Sequence, residues 1–252
     1  MTKALEGQTI LVTGASGGIG AAIVKQLAAE GARPIIHYGR DKSGTEALLS
    51  AIGGEGWIVQ GDLSSDEGPF KLWEKSLALA GRIHALVNNA GIRTEISIDV
   101  SAADWKAAWQ REFQINFFAA ADLCKEAIGH FKANGGGRIV NMASRAGQRG
   151  YTADALPYGS TKAALVNLTK SIARSFGADG VTAVAIAPGW VRTDMAEEFI
   201  AAHGKAAAVS DIPIGEMAEP SEVAELVAFI LRPGQASLNG ATLDVNGGSY
   251  IR

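Results

Sequence analysis

Six short apolar runs recur along the chain, each separated from the next by a helix-length segment: Gln8 to Thr13, Pro34 to His37, Trp57 to Gln60, Ile83 to Asn88, Arg138 to Ala143 and Val181 to Ala187. The first leads into a glycine-rich turn and then into Ile19, Ile23, Val24 and Leu27, which recur at helical spacing. Strands that alternate with helices imply a parallel sheet, because each parallel pair needs a crossover that packs on a sheet face. The near-continuous apolarity of ALVN and VTAVAIA fits strands buried on both sides. The expected fold is α/β, a doubly wound parallel sheet with helices on both faces. Ala102 to Lys132 and Ala155 to Phe176 read as the two long helices, the first ended by glycines 135–137. With 252 residues and 47% hydrophobic content, one domain over residues 1–252 is expected, with residues 194–215 as a surface flap of polar and small residues.

Several function classes are disfavoured. The net charge is −3 and the basic residues do not cluster, so nucleic acid is not an expected partner. No apolar stretch reaches the roughly 18 residues of a membrane span, and Met1 to Gly7 lacks the apolar core of a signal peptide. The single cysteine, Cys124, fits a reducing compartment, and the expectation is a cytoplasmic protein. His37, His84, His130 and His203 show no metal-ligand spacing, so no metal is expected. Cys124, Trp57, Trp73, Trp105 and Trp109 read as packing residues, while Trp190 fits a core or a pocket equally well.

Two features carry chemistry. In Thr13-Gly14-Ala15-Ser16-Gly17-Gly18-Ile19-Gly20 the glycines allow a tight turn and a close approach of the backbone to a pyrophosphate, which would sit on the N-terminus of the following helix. Tyr158 and Lys162 stand at i and i+4 of a predicted helix, on one face, a short loop after Ser144 at the end of a buried strand. Alone, a Tyr-x-x-x-Lys pair reads as a surface tyrosine next to a solvated lysine. Placed at the carboxyl edge of a parallel sheet, it can move a proton, since a nearby ammonium favours the phenolate.

The glycine spacing, Asn88-Asn89-Ala90-Gly91, Asn116, Ser144, Tyr158-x-x-x-Lys162 and Pro188-Gly189 occur in the order seen in the short-chain dehydrogenase/reductase family, which the chain resembles over essentially its whole length, including 3-oxoacyl-carrier-protein reductase-like members. The resemblance implies a Rossmann-type fold and an oxidoreductase that moves a hydride between a nicotinamide dinucleotide and a carbonyl or secondary alcohol. It implies Tyr158 as general acid/base, Lys162 on the nicotinamide ribose, Ser144 on the substrate oxygen, and Asn116 holding a water that links Lys162 to solvent. Asn116 could instead simply cap or kink its helix. For the cofactor the resemblance implies Gly14, Ser16, Gly18, Ile19, Gly20, Gly39, Arg40, Asp62, Leu63, Asn89, Ala90, Gly91, Tyr158, Lys162, Pro188, Gly189, Val191 and Thr193. It also implies a homotetramer packed through the long helices and the C-terminal segment.

The alternatives are a dinucleotide-binding sensor or scaffold without turnover, and an NAD-preferring sugar or polyol dehydrogenase. Gly39 takes the family's acidic position and Arg40 follows it, so NADP(H) is expected over NAD(H), although Asp41 and Gly17 point the other way. The Ser144-to-Tyr158 stretch is one residue longer than is common in the family. Arg145 and Arg149 in it, with Arg93, suggest an anionic substrate; the alternatives are solvated loop arginines, or Arg145 pairing with Asp154.

Overall fold

The computed structural model describes residues 3–252, apart from the side chains at positions 195, 198, 202 and 203. The N-terminal half runs β1 (Thr9–Val12), α1 (Gly18–Ala29), β2 (Arg33–Tyr38), α2 (Lys42–Ala51), β3 (Trp57–Gln60), α3 (Gly68–Ala80), β4 (Ala85–Asn88), α4 (Ala102–Phe113) and α5 (Ala119–Ala133). It continues with β5 (Gly137–Met142), α6 (Ala146–Arg149), α7 (Leu156–Phe176), β6 (Val181–Pro188), α8 (Asp194–His203), α9 (Lys205–Val209), α10 (Pro220–Leu231) and β7 (Thr242–Val245). The strands form one parallel sheet in the order β3-β2-β1-β4-β5-β6-β7.

Side chains alternate between two cores, as the pleat requires. Ile10, Val12, Val87, Val140 and Ile186 point to a core closed by α1 and α10, while Leu11, Leu86, Ile139 and Ala183 point to one closed by α3, α5 and α7. From β1 the chain moves outward through β2 and β3, then returns to β4 on the other side. This switch point between β1 and β4 opens a crevice at the carboxyl ends of the strands.

The structure departs from the sequence expectation in three places. A seventh strand, β7, joins the sheet beside β6. The long helix is not uniform: Gln114–Phe118 forms a π-helical turn between α4 and α5, with Asn116 inside it. Residues 194–215 are not merely a polar flap, because α8 and α9 enclose a small core of Ala196, Ala208 and Ile212 with Met217. Among the described residues no helix is long and apolar enough to cross a membrane, and no group of three or more metal-ligating side chains occurs. The side chain of His203, and Met1 and Thr2 of the N-terminal stretch, lie outside the described residues.

Candidate active site

The glycine-rich turn is shaped by contacts that exclude a side chain. Gly14 has φ +62°, and a Cβ there would lie 2.8 Å from Ala90 Cα; a Cβ on Gly20 would lie 2.3 Å from the Gly14 carbonyl oxygen. The turn is fastened to the end of β4. Thr13 Oγ1 accepts from the backbone N–H groups of Asn89 (2.9 Å) and Ala90 (3.0 Å), and Asn89 Nδ2 donates to the carbonyls of Thr13 and Gly14, both at 2.9 Å. From β2, His37 Nδ1 accepts from Gly14 N–H at 3.0 Å while Nε2 faces the Gly61 carbonyl at 3.2 Å, so the neutral ring protonated on Nε2 satisfies both. Burial holds this imidazole down at about 4. Helix α1 then starts with no side-chain cap and no acidic residue in its first turn. Its free N–H groups and positive end fit a pyrophosphate.

The same cleft, about 430 Å³, continues to the ends of β5 and β6, where Ser144, Tyr158 and Lys162 line it. Ser144 Oγ accepts from Ala146 N–H at 3.1 Å, which leaves its own proton to donate. Lys162 is buried, its Nζ donates to the Met142 carbonyl at 2.8 Å and lies 5.7 Å from the Tyr158 ring centroid. Burial lowers the lysine to about 8, against the pull of Glu112. Tyr158 is pushed up to about 12 by burial, its hydrogen bond with Ser144 working the other way. Burial therefore outweighs the stabilisation of the phenolate expected from the lysine, and the phenol stays protonated at neutral pH.

Asn116 sits just behind. Its Nδ2 donates to the Ile92 carbonyl (2.8 Å) and to Thr161 Oγ1 (3.2 Å), and its Oδ1 accepts from Ile92 N–H (2.8 Å). Both Asn116 Oδ1 and Lys162 Nζ would lie 3.3 Å from a Cβ on Gly91. The two polar groups thus converge on the space that the absence of a side chain at Gly91 keeps open.

A family model described as enoyl-(acyl carrier protein) reductase matches residues 14–250. The chain is 34% identical to a 3-oxoacyl-(acyl-carrier-protein) reductase of Synechocystis sp., over 98% of this chain and 99% of the relative. It is 36% identical to another such reductase from Pseudomonas aeruginosa, over 98% and 99%. It is also 34% identical to a cis-4-hydroxycyclohexanecarboxylate dehydrogenase of Sinomonas cyclohexanicum, over 98% of each chain. The chain belongs to the short-chain dehydrogenase/reductase family. It is an oxidoreductase of that family, whose relatives act on carbonyl or alcohol groups and use a nicotinamide dinucleotide.

In this family member the main cleft is lined by Gly14, Ser16, Gly18, Ile19 and Gly20 from the first turn, with Asn89 and Gly91 beside them. Pro188, Gly189, Val191 and Thr193 close the opposite wall, and Thr193 Cγ2 would lie 3.3 Å from a Cβ on Gly18. Gly39 and Asp62 border a second, smaller hollow at the ends of β2 and β3. Ala90 packs against Gly14, Leu63 is buried in the core, and Arg40 is exposed beside the smaller hollow without lining it. Trp190 does both things the sequence allowed, lining the cleft and packing 4.8 Å from Phe199, ring to ring. Cys124 is a buried core thiol, pushed up to about 12 by burial.

The pairing of Arg145 with Asp154 is not formed. Arg145 Nη1 lies 3.1 Å from Asp211, which also accepts from Arg149 at 2.7 Å, whereas Asp154 lies 3.9 Å from Arg93. Sequence reasoning missed Glu112, which is fully buried in α4. Its Oε2 accepts from Thr94 N–H at 3.1 Å, its Oε1 has no partner, and burial raises its pKa. The signal was present, since Glu112 precedes Asn116 by one helical turn and so shares its face.

Proposed function

We propose that this chain is an NADP(H)-preferring oxidoreductase that interconverts a ketone and a secondary alcohol, with Tyr158 as proton donor or acceptor. The observation that carries the reading is that Ser144, Tyr158 and Lys162 line the same cleft as the uncapped N-terminus of α1. When bound, the nicotinamide would supply or accept the hydride. Ser144, whose hydroxyl is hydrogen-bonded with Tyr158, holds the substrate oxygen. Tyr158, protonated at neutral pH, donates to that oxygen in the reductive direction. Lys162 orients the ribose and replenishes the proton, and Asn116 holds a water on the route from Lys162 to solvent. The cofactor residues are those named from the resemblance, with Gly39, Asp62 and Leu63 toward the adenosine.

The preference for NADP(H) rests on Arg40 and on what Asp41 does instead of opposing it. Asp41 caps α2, accepting from Gly44 N–H and from Ser43 Oγ, so its carboxylate is committed to the helix. Arg40 beside it is exposed and available to a 2′-phosphate. We also propose a cytoplasmic homotetramer, supported by the aromatic run Trp105, Trp109, Phe113, Phe117 and Phe118 on the α4–α5 rod, where Phe118 is half exposed. Residues 194–215 act as the flap over the substrate. A panel of ketones and secondary alcohols, followed by nicotinamide absorbance with each cofactor, tests the reading; no turnover of any member overturns it, and light scattering checks the tetramer.

A further inference from the structure

Beyond the groups that move the proton, the substrate end of the cleft contains a guanidinium that the fold leaves under-used. Arg145 follows Ser144 directly, lines the cleft and is only 3% exposed. Its single charged partner is Asp211, and Asp211 is shared: Arg149 takes it at 2.7 Å in an aligned hydrogen bond, while Arg145 Nη1 lies 3.1 Å away without hydrogen-bond alignment and has no other partner. Among the described residues nothing accepts a hydrogen bond from the rest of this guanidinium. One carboxylate between two arginines leaves an excess of positive charge, and burial followed by the charge of Arg149 makes the Arg145 proton less favourable than usual. A guanidinium out of water needs planar oxygen acceptors.

The wall facing it does not supply them. Arg93 also lines the cleft, with its Nε unpaired, its Nη1 on Glu95 at 2.7 Å, and its guanidinium over the Tyr151 ring at 5.4 Å. Tyr151 in turn packs 5.7 Å from Tyr158. Glu112 faces away, toward the Thr94 backbone. Ser144, Tyr158, Arg145 and Arg93 therefore border one space.

We infer that Arg145 is the anchor of a carboxylate subsite, and that the substrate is an oxo acid or hydroxy acid whose reacting oxygen lies at Ser144 and Tyr158 while its carboxylate lies on the Arg145 guanidinium. This rests on the proposed reaction at the same site. Arg93, its charge paired with Glu95, lies over Tyr151, which forms the aromatic side of the subsite. Arg149 is a positioning residue: it takes the aligned hydrogen bond to Asp211 and also donates to the Ser249 carbonyl at 3.3 Å, so that Arg145, only ion-paired with Asp211, keeps its hydrogen-bond donors for substrate.

The test pairs oxo acids with their methyl esters. Losing a charge-assisted contact should change the ratio of KM for acid to KM for ester by about 10- to 100-fold in Arg145→Gln. Asp211→Asn, at a partly exposed position, removes the competing carboxylate and should lower KM for the acids alone. If Arg145 and Asp211 form only a latch for residues 205–214, both variants raise KM for acid and ester together, and that result overturns the subsite. Should Arg145→Gln fail to fold, Asp211→Asn decides: anything but a fall confined to the acids counts against the proposal. Should the wild type turn over neither acids nor esters, the proposed reaction fails. The subsite is then read by calorimetric titration of the same oxo acids into the cofactor complex, where binding weakened at least tenfold in Arg145→Gln supports it and absent or unchanged binding overturns it.

Discussion

At the glycine-turn end of the cleft, Thr13, His37 and Asn89 tie the turn through side-chain hydrogen bonds to backbone, whereas at the other end Arg93 Nε and Arg145 Nη1 are buried without a hydrogen-bond partner. An unpaired buried polar group costs about 1–3 kcal/mol, so the two ends are held on different terms. The first is a finished frame, fixed by glycines that admit no side chain and by hydrogen bonds that cross from β1 to β2 and β4. The second has unused donors whose partners a ligand can supply. Substitutions at the first end should therefore disturb binding of any dinucleotide, while those at the second should redistribute preference among substrates.

The largest expected effect lies where the two ends meet. Tyr158→Phe removes the proton but leaves the frame around Gly14 intact, so kcat should fall about 10²- to 10⁴-fold while the Kd for NADPH stays nearly unchanged. Steady-state kinetics and fluorescence titration measure the two. Retention of more than about a tenth of wild-type kcat would assign the proton to another group.

Gly91→Ala sharpens the comparison, because Gly91 belongs to the β4 end of the frame yet borders Lys162. Its backbone does not demand glycine, so the effect must come from space. The new methyl meets Asn116 Oδ1 and Lys162 Nζ at 3.3 Å each, and neither can yield easily, being held by Ile92 N–H and by the Met142 carbonyl. They must still give by a few tenths of an ångström, and since a misplacement of about 1 Å at a reacting group can cost about 10²-fold, kcat should fall by about 10-fold with the fold retained. Wild-type kcat in this variant would show that no water path between Asn116 and Lys162 is needed.

Arg40→Ala tests the frame at its far end. Loss of a bidentate contact to a 2′-phosphate is worth about 1.5–3 kcal/mol, or about a 10- to 100-fold weaker Kd for NADPH, with NADH little changed. Tighter binding of NADH than NADPH by the wild type would refute the cofactor choice.

What could be read beforehand follows the same division. Strands β1 to β6 were legible as short apolar runs, buried throughout in β1 and β4 though only in part in the edge strand β3, and β7 was not because Asp244 interrupts a four-residue strand of which only Thr242 is buried. Its bracketing turns, Asn239-Gly240 and Asn246-Gly247, were the available signal. Tyr158, Lys162 and Ser144 could be placed together because a helix period and a strand end fix their positions locally. The partner of Arg145 could not, since Asp211 reaches it from the far side of α8 and α9, and Asp154, nearer in sequence, turned instead toward Arg93. Nor did the helical pattern foretell the π-helical turn, which moves Asn116 into contact with Ile92 and Thr161.

The smallest effect concerns acid, and it should fall on the frame. His37 is neutral in the folded protein, where burial holds it at about 4, whereas in the unfolded chain it titrates near the ordinary 6.5. Between these values the unfolded chain binds more protons, so stability rises with pH across this window. The contribution is fully present above about 6.5, is lost as pH falls toward 4, and levels off below. By pH 5.5 the loss from this group should be about 1–2 kcal/mol. Protonation would also place a hydrogen on Nδ1 against Gly14 N–H, loosening the glycine turn itself. His84 and His130 are lowered too, by burial first, and add slope of the same sign. His37→Gln separates them: its amide can accept from Gly14 N–H and donate to the Gly61 carbonyl without titrating. Urea unfolding at pH 7 and pH 5.5 should show a smaller loss in His37→Gln than in the wild type by about 1 kcal/mol, and equal losses would mean that His37 does not couple the glycine turn to pH.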